Sequence, residues 1–90
     1  MPVVFIPTPL RALTGGQPEV RVEGKTVREL IAGLEHRFPG VDSRLRRGDA
    51  LAPGLHVSID HVMTTRGLEA PVGPDSEVHF LPAIGGGSDP

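Results

Sequence analysis

Three consecutive glycines, Gly85-Gly86-Gly87, stand near the end of this 90-residue chain, after the apolar segment Leu81-Pro82-Ala83-Ile84 and before Ser88-Asp89-Pro90. Glycine has no Cβ, so a run of it enters channels too narrow for side chains and adopts backbone angles closed to other residues. Extended from Pro82 to Gly87, the chain reaches roughly 20 Å beyond a domain at about 3.3 Å per residue. That reach places a terminal glycine carboxylate inside the active site of a second protein. A loose chain end has a similar composition, so the choice between the two rests on the domain behind the tail.

Elsewhere, the residues with chemical potential form no set. Four histidines, His36, His56, His61 and His79, invite a metal. His56 and His61 are out of strand register, however, and no acidic residue completes a recognisable ligand group, so they are read as surface or edge residues and no metal is assigned. Asp60-His61 is a fragment of a hydrolytic triad, but Ser58 shares their strand and nothing resembles a nucleophile elbow. The chain has no cysteine. This excludes a disulfide framework, a Cys-ligated zinc or iron–sulfur centre and a cysteine nucleophile, so any sulfur chemistry uses sulfur from elsewhere. No phosphate-binding Gly-x-x-x-x-Gly-Lys loop is present. These residues give no case for an enzyme, and no catalytic residue and no bound cofactor is assigned.

Ninety residues, 38% apolar and 22% charged, suit one small domain. Only three aromatics are available, all Phe, so Val, Leu and Ile must fill the core. A net charge of −2 gives no electrostatic case for nucleic acid. The one dense basic cluster, Arg44, Arg46 and Arg47, reads as a solvated loop face. Met1-Pro2-Val3-Val4-Phe5-Ile6-Pro7 lacks a basic lead and a cleavage site and reads as a strand, not a signal peptide. No stretch approaches the roughly 18 apolar residues of a membrane span, and a cytoplasmic location with no membrane partner is expected.

The elements behind the tail follow from periodicity. Val3 to Ile6 is a β-branched and aromatic strand closed by Pro7 and Pro9. Leu10 to Pro18 reads as a loop with a Gly15-Gly16 turn, and Glu19 to Glu23 alternates as a half-buried strand, making a hairpin with the first. Thr26-Val27-Arg28-Glu29 has the form of a capping box. Behind it Val27, Leu30, Ile31, Leu34 and Phe38 form one apolar helical stripe, with Arg28, Glu35 and Arg37 largely outside it. Phe38-Pro39-Gly40 stops that helix. Val41 to Arg47 admits a short helical turn, and Arg44 to Pro53 reads as a solvated loop. Leu55 to Asp60 is a third strand, Val62 to Thr65 a short edge strand, and Glu77 to Leu81, after a turn at Pro74-Asp75, the last strand. A single main helix across one face of a mixed sheet of four to five strands is an α+β, β-grasp (ubiquitin-like) arrangement.

With this order of elements the chain resembles the ubiquitin-like sulfur carrier family, which includes the small subunit of molybdopterin synthase, the thiamine-pathway carrier and carriers feeding cysteine biosynthesis. The resemblance spans almost the whole chain. It is carried most specifically by Leu81-Pro82-Ala83-Ile84-Gly85-Gly86-Gly87, with support from Ile6-Pro7, Phe38-Pro39-Gly40 and Pro74-Asp75-Ser76-Glu77. It implies that a ubiquitin-activating-type enzyme, using ATP and magnesium, adenylates the terminal glycine carboxylate. A thiocarboxylate then forms there and gives its sulfur to an acceptor held by a partner synthase. Pro82, Ala83, Ile84, Gly85 and Gly86 would enter the partner, and Gly87 would carry the acyl group. Family members end at the second glycine, whereas here Ser88-Asp89-Pro90 come after it. The resemblance therefore implies that residues 1–87 are the carrier and 88–90 an extension, removed between Gly87 and Ser88 by a zinc metalloprotease of the deubiquitinase type. A pair at Gly85-Gly86 is the alternative. A ubiquitin-like modifier joined to target lysines through the same glycine, and a β-grasp interaction module with an inert tail, are the rival uses.

Overall fold

The apolar opening becomes strand β1, Val3–Phe5, one residue shorter than its sequence pattern: Ile6 still donates in register to the Pro18 carbonyl at 2.8 Å, but Pro18 has no amide hydrogen to return the bond. The computed structural model describes residues 1–82, and expectations for Ala83 onward lie outside the described residues. Thr8–Thr14 is a 3-10 helix where a loop is expected; Pro9 suits its first turn, and Leu10 and Thr14 are buried beneath it. Gly15 and Gly16, with φ of 66° and 84°, turn the chain into β2, Glu19–Arg21, which pairs antiparallel with β1 as expected.

Helix α1, Val27–Arg37, starts at Thr26, whose hydroxyl accepts from the Glu29 amide at 3.2 Å. The reciprocal bond of the capping box falls one residue early: the Glu29 carboxylate accepts from the Lys25 amide at 2.8 Å. Phe38 ends the helix, and Gly40 at φ 104° carries the chain away from it. Glu35, outside the apolar stripe as expected, folds over this corner and accepts from the amides of Gly40 (3.0 Å) and Asp42 (2.8 Å). The anticipated short turn is α2, Asp42–Leu45.

The segment read as a solvated loop holds a two-residue hairpin of β3, Arg46–Arg47, and β4, Ala50–Leu51. Arg46 is not part of a solvated basic face: its guanidinium donates to the Asp42 carboxylate and, at 2.9 Å, to the Gly48 carbonyl. Strand β5, Leu55–Ile59, and strand β6, Val62–Thr64, form a hairpin whose two turn residues, Asp60 and His61, both have positive φ (53° and 70°), as a type I′ turn requires. A 3-10 turn, Gly67–Glu69, is tied to α1 by Arg28, which donates to Glu69 at 2.6 Å. Strand β7, Glu77–Pro82, closes the fold.

The five long strands form one sheet in the order β2-β1-β7-β5-β6. Strand β7 lies at its centre, parallel to β1 and antiparallel to β5. Val27, Leu30, Ile31 and Leu34 of the helix are wholly buried against the inward residues Val4, Val20, Val57, Val78 and Phe80. Such burial is worth roughly 1.5–3 kcal/mol per large side chain, which is why the helix lies on this face. Contact is closest at Gly33, where an added Cβ would stand 2.6 Å from Val22 Cγ1. The architecture is the expected two-layer β-grasp.

Candidate functional site

The direction in which the tail leaves is set by the register of β7, and that register is fixed at both ends. At its start the Asp60 carboxylate accepts from the Glu77 amide and from the Ser76 hydroxyl, each at 2.9 Å, while the Asp60 amide donates to the Glu77 carbonyl at 2.8 Å. Ser76, 5% exposed, also accepts from the Gly73 amide at 2.9 Å. The Glu77 amide first, then the Ser76 hydroxyl, hold the Asp60 carboxyl below the ordinary carboxylate range. At its end Leu81 and Pro82 pair with His56 and Leu55 of β5. A slip of one residue would turn every side chain of β7 to the other face and move the tail's point of departure.

Pro82, the first residue of the predicted tail, therefore ends a central strand with its backbone held by β5. Ala83, Ile84, Gly85, Gly86, Gly87 and Ser88 lie outside the described residues.

The outward face of the sheet is legible from the pairing. Phe5 stands beside His79, His79 beside Ser58, and Ser58 beside Met63. The rings of Phe5 and His79 stack 4.2 Å apart, with 3° between their planes. His61 lies 5.8 Å from His79 by ring centroids, and its Nε2 is 3.4 Å from a Glu77 carboxylate oxygen. Among the described residues no three His, Asp or Glu are placed to hold a metal ion. Asp60 is bound into the β7 latch, so the triad fragment is structural. No helix among the described residues is long and apolar enough to cross a membrane.

A groove of about 340 Å³ that no sequence pattern signals lies beside the end of β7, with Phe5, Ile6, Pro7, Arg11, His79 and Leu81 among its walls. Arg11 sits in the 3-10 helix, half-buried, with its Nε donating to the Ile6 carbonyl at 3.0 Å. No local pattern brings residue 11 to residue 79. The two prolines after β1, which force the chain away from β7, were the available signal.

This arrangement, a five-stranded mixed sheet crossed by one helix with a central strand running out into the terminal segment, is that of ubiquitin-like β-grasp proteins. Residues 4–87 match the ThiS family. The chain is 35% identical over 91 residues to the sulfur carrier protein CysO of Mycobacterium tuberculosis, covering 93% of this chain and 96% of that protein. It superposes with a TM-score of 0.88 and 36% identity on a chain of the Amycolatopsis orientalis BexX/CysO complex, over 97% of this chain and 100% of that one. At 23% identity, small archaeal modifier protein 1 of Methanosarcina acetivorans shares the fold, with a TM-score of 0.75 over 96% of this chain and 95% of that one. The chain belongs to the ThiS family of ubiquitin-like sulfur carriers.

Proposed function

We propose that this sulfur carrier acts through Gly87, which is first exposed by cleavage of the Gly87–Ser88 bond and then activated by a partner. In the activation step a carboxylate oxygen of Gly87 attacks the α-phosphorus of ATP and pyrophosphate leaves, with magnesium and all catalytic groups supplied by a ubiquitin-activating-type enzyme. A sulfide-level nucleophile then adds to the acyl carbon and AMP departs, leaving a thiocarboxylate. Adenylation is needed because a free carboxylate is a poor electrophile. The thiocarboxylate delivers sulfur to an acceptor bound by a partner synthase. A zinc metalloprotease removes Ser88-Asp89-Pro90 beforehand, since an amide at Gly87 has no carboxylate to activate.

The observation that carries this reading is the register of β7, a latched central strand whose last residue, Pro82, stands three positions before the first of the glycines. The family match running through to Gly87 supports that residue over Gly86 as the reactive end. The crystallised complex of a CysO with BexX supports the existence of a protein partner. The modifier reading shares the adenylation step, and the fold suits both, since a small archaeal modifier protein has it too; the CysO identity favours the carrier.

Chains ended at Gly87, ended at Gly86, and carried through to Pro90 would be compared as substrates in ATP–pyrophosphate exchange with the activating enzyme of the same organism. Only the Gly87-ended chain is expected to support exchange. Equal exchange by the uncut chain, or preference for the Gly86 end, contradicts the assignment. Lysine-linked conjugates that survive thiol reductants would favour the modifier.

A further inference from the structure

Of nine lysine and arginine side chains eight are arginine; the one lysine is Lys25, and there is no cysteine. For a chain that works through an activated acyl group the difference is chemical. A guanidinium keeps its proton and has no free lone pair to attack with, whereas a lysine that loses its proton is a nucleophile, as is a thiolate. The two amines, on Met1 and Lys25, lie at the same end of the sheet. Val3 donates to the Ser76 carbonyl and Val22 to the Pro2 carbonyl, which sets Met1 and the Gly24-Lys25 turn at the end where β7 begins. Lys25 is exposed, with its carbonyl accepting from Val72 and its amide donating to Glu29, each at 2.8 Å.

The tail leaves from the opposite end, where Pro82 faces Leu55. Strand β7 is six residues long, roughly 20 Å, and β2 lies two strands across from it, roughly 10 Å to the side. Doubled back along the domain, a tail of roughly 20 Å is spent on the length of β7 alone, with the sideways step still to make. At the exit itself the cations are arginines: Arg11 in the groove with Leu81, and Arg44 in a smaller cleft with Pro7, Leu10 and Leu55. His56 stands opposite Leu81, but an acyl-imidazole is itself activated and passes the group on, so it makes no lasting bond. We propose that the activated Gly87 is insulated from its own chain: arginine stands at the exit where lysine would capture the acyl group, so the acceptor must come from another molecule. In the capture avoided, a lysine Nζ attacks the acyl carbon, the bond from that carbon to its leaving group breaks with its electron pair, and the nitrogen's proton passes to solvent. This assignment rests on the carrier reading above, which supplies the activated acyl group.

The test uses the Gly87-ended chain carrying a thioester at Gly87, an activated acyl group made without the activating enzyme. At micromolar concentration and about pH 9, where a fraction of lysine amines is free, wild type should hydrolyse to the carboxylate. Arg44→Lys should instead close to an internal amide, lighter than the carboxylate by one water. Its yield should exceed that of wild type by about tenfold or more, because a short tether supplies a millimolar effective concentration. Peptide mapping should join position 44 to Gly87. Arg11→Lys, on the other flank of β7, should close in the same way, and Arg21→Lys, an exposed position at the Lys25 end, should match wild type. No amide from either exit variant, amide from wild type through Lys25 or Met1, or as much amide from Arg21→Lys as from Arg44→Lys overturns the insulation. The thioester bypasses activation, so these outcomes are independent of ATP–pyrophosphate exchange, which tests the carrier reading separately.

Discussion

Replacing Gly33 with alanine sets two effects of known size against each other. In an exposed helix interior the change stabilises by about 1 kcal/mol, because alanine loses less backbone entropy on folding. Here the new Cβ would stand 2.6 Å from Val22 Cγ1, well inside the roughly 3.5–4.0 Å at which carbon atoms pack comfortably. Val22 is 3% exposed, and its β-branched side chain has little rotameric freedom with which to withdraw. Overpacking of this kind costs about 1–3 kcal/mol, so the single substitution should be neutral to destabilising, by about 0–2 kcal/mol. In a Val22→Ala background the obstructing methyl is gone and Gly33→Ala should regain its gain of about 1 kcal/mol. The coupling between the two sites is therefore expected to be about 1–3 kcal/mol in favour of the double variant. Urea denaturation of the four proteins at constant slope measures it. A Gly33→Ala protein that is about 1 kcal/mol more stable than wild type, with no coupling to Val22, would refute the close seating of the helix on the sheet.

The same packing and the latch of β7 give two further outcomes. Leu30→Ala, at a wholly buried position under the sheet, should cost about 2–5 kcal/mol, a large part of a small domain's stability, and should lower the urea midpoint accordingly. Asp60→Asn should lower the melting temperature at neutral pH, because the amide cannot replace a carboxylate that accepts from both Ser76 and Glu77. The folded Asp60 carboxyl titrates below its unfolded value, so its contribution is complete above about pH 4 and fades as pH falls through the folded value. The gap between wild type and Asp60→Asn should therefore narrow in acid, and melting curves taken across that range check it.

The helix and its sheet were readable because each bears a period: Val27, Leu30, Ile31 and Leu34 repeat as a helix must, and Leu55, Val57 and Ile59 as a strand must. The tail stood out because its composition is extreme, and from Ala83 on it lies outside the described residues. What escaped lacks a period. Thr8–Thr14 is a 3-10 helix with a proline in its first turn, and its residues show no 3.6-residue stripe. The β3–β4 hairpin has two residues per strand and is braced by Arg46 reaching back to Asp42 and across to Gly48, contacts that exist only once α2 has formed. The turn Asp60-His61 carries no glycine, yet both residues take positive φ, a strain accepted where Asp60 is needed to latch β7. Arg11 and His79 share a groove because parallel pairing sets β1 beside β7, a long-range relation that no short window of sequence contains.

Whether Gly87 becomes the sulfur-bearing end of the carrier is read most simply from intact mass. The chain through Pro90 would be incubated with its metalloprotease, its activating enzyme, ATP with magnesium and a sulfur source. The expected result is loss of the mass of Ser88-Asp89-Pro90 and then the replacement of one oxygen by one sulfur. A chain that keeps those residues, or that is trimmed at Gly87 and gains no sulfur, would contradict it.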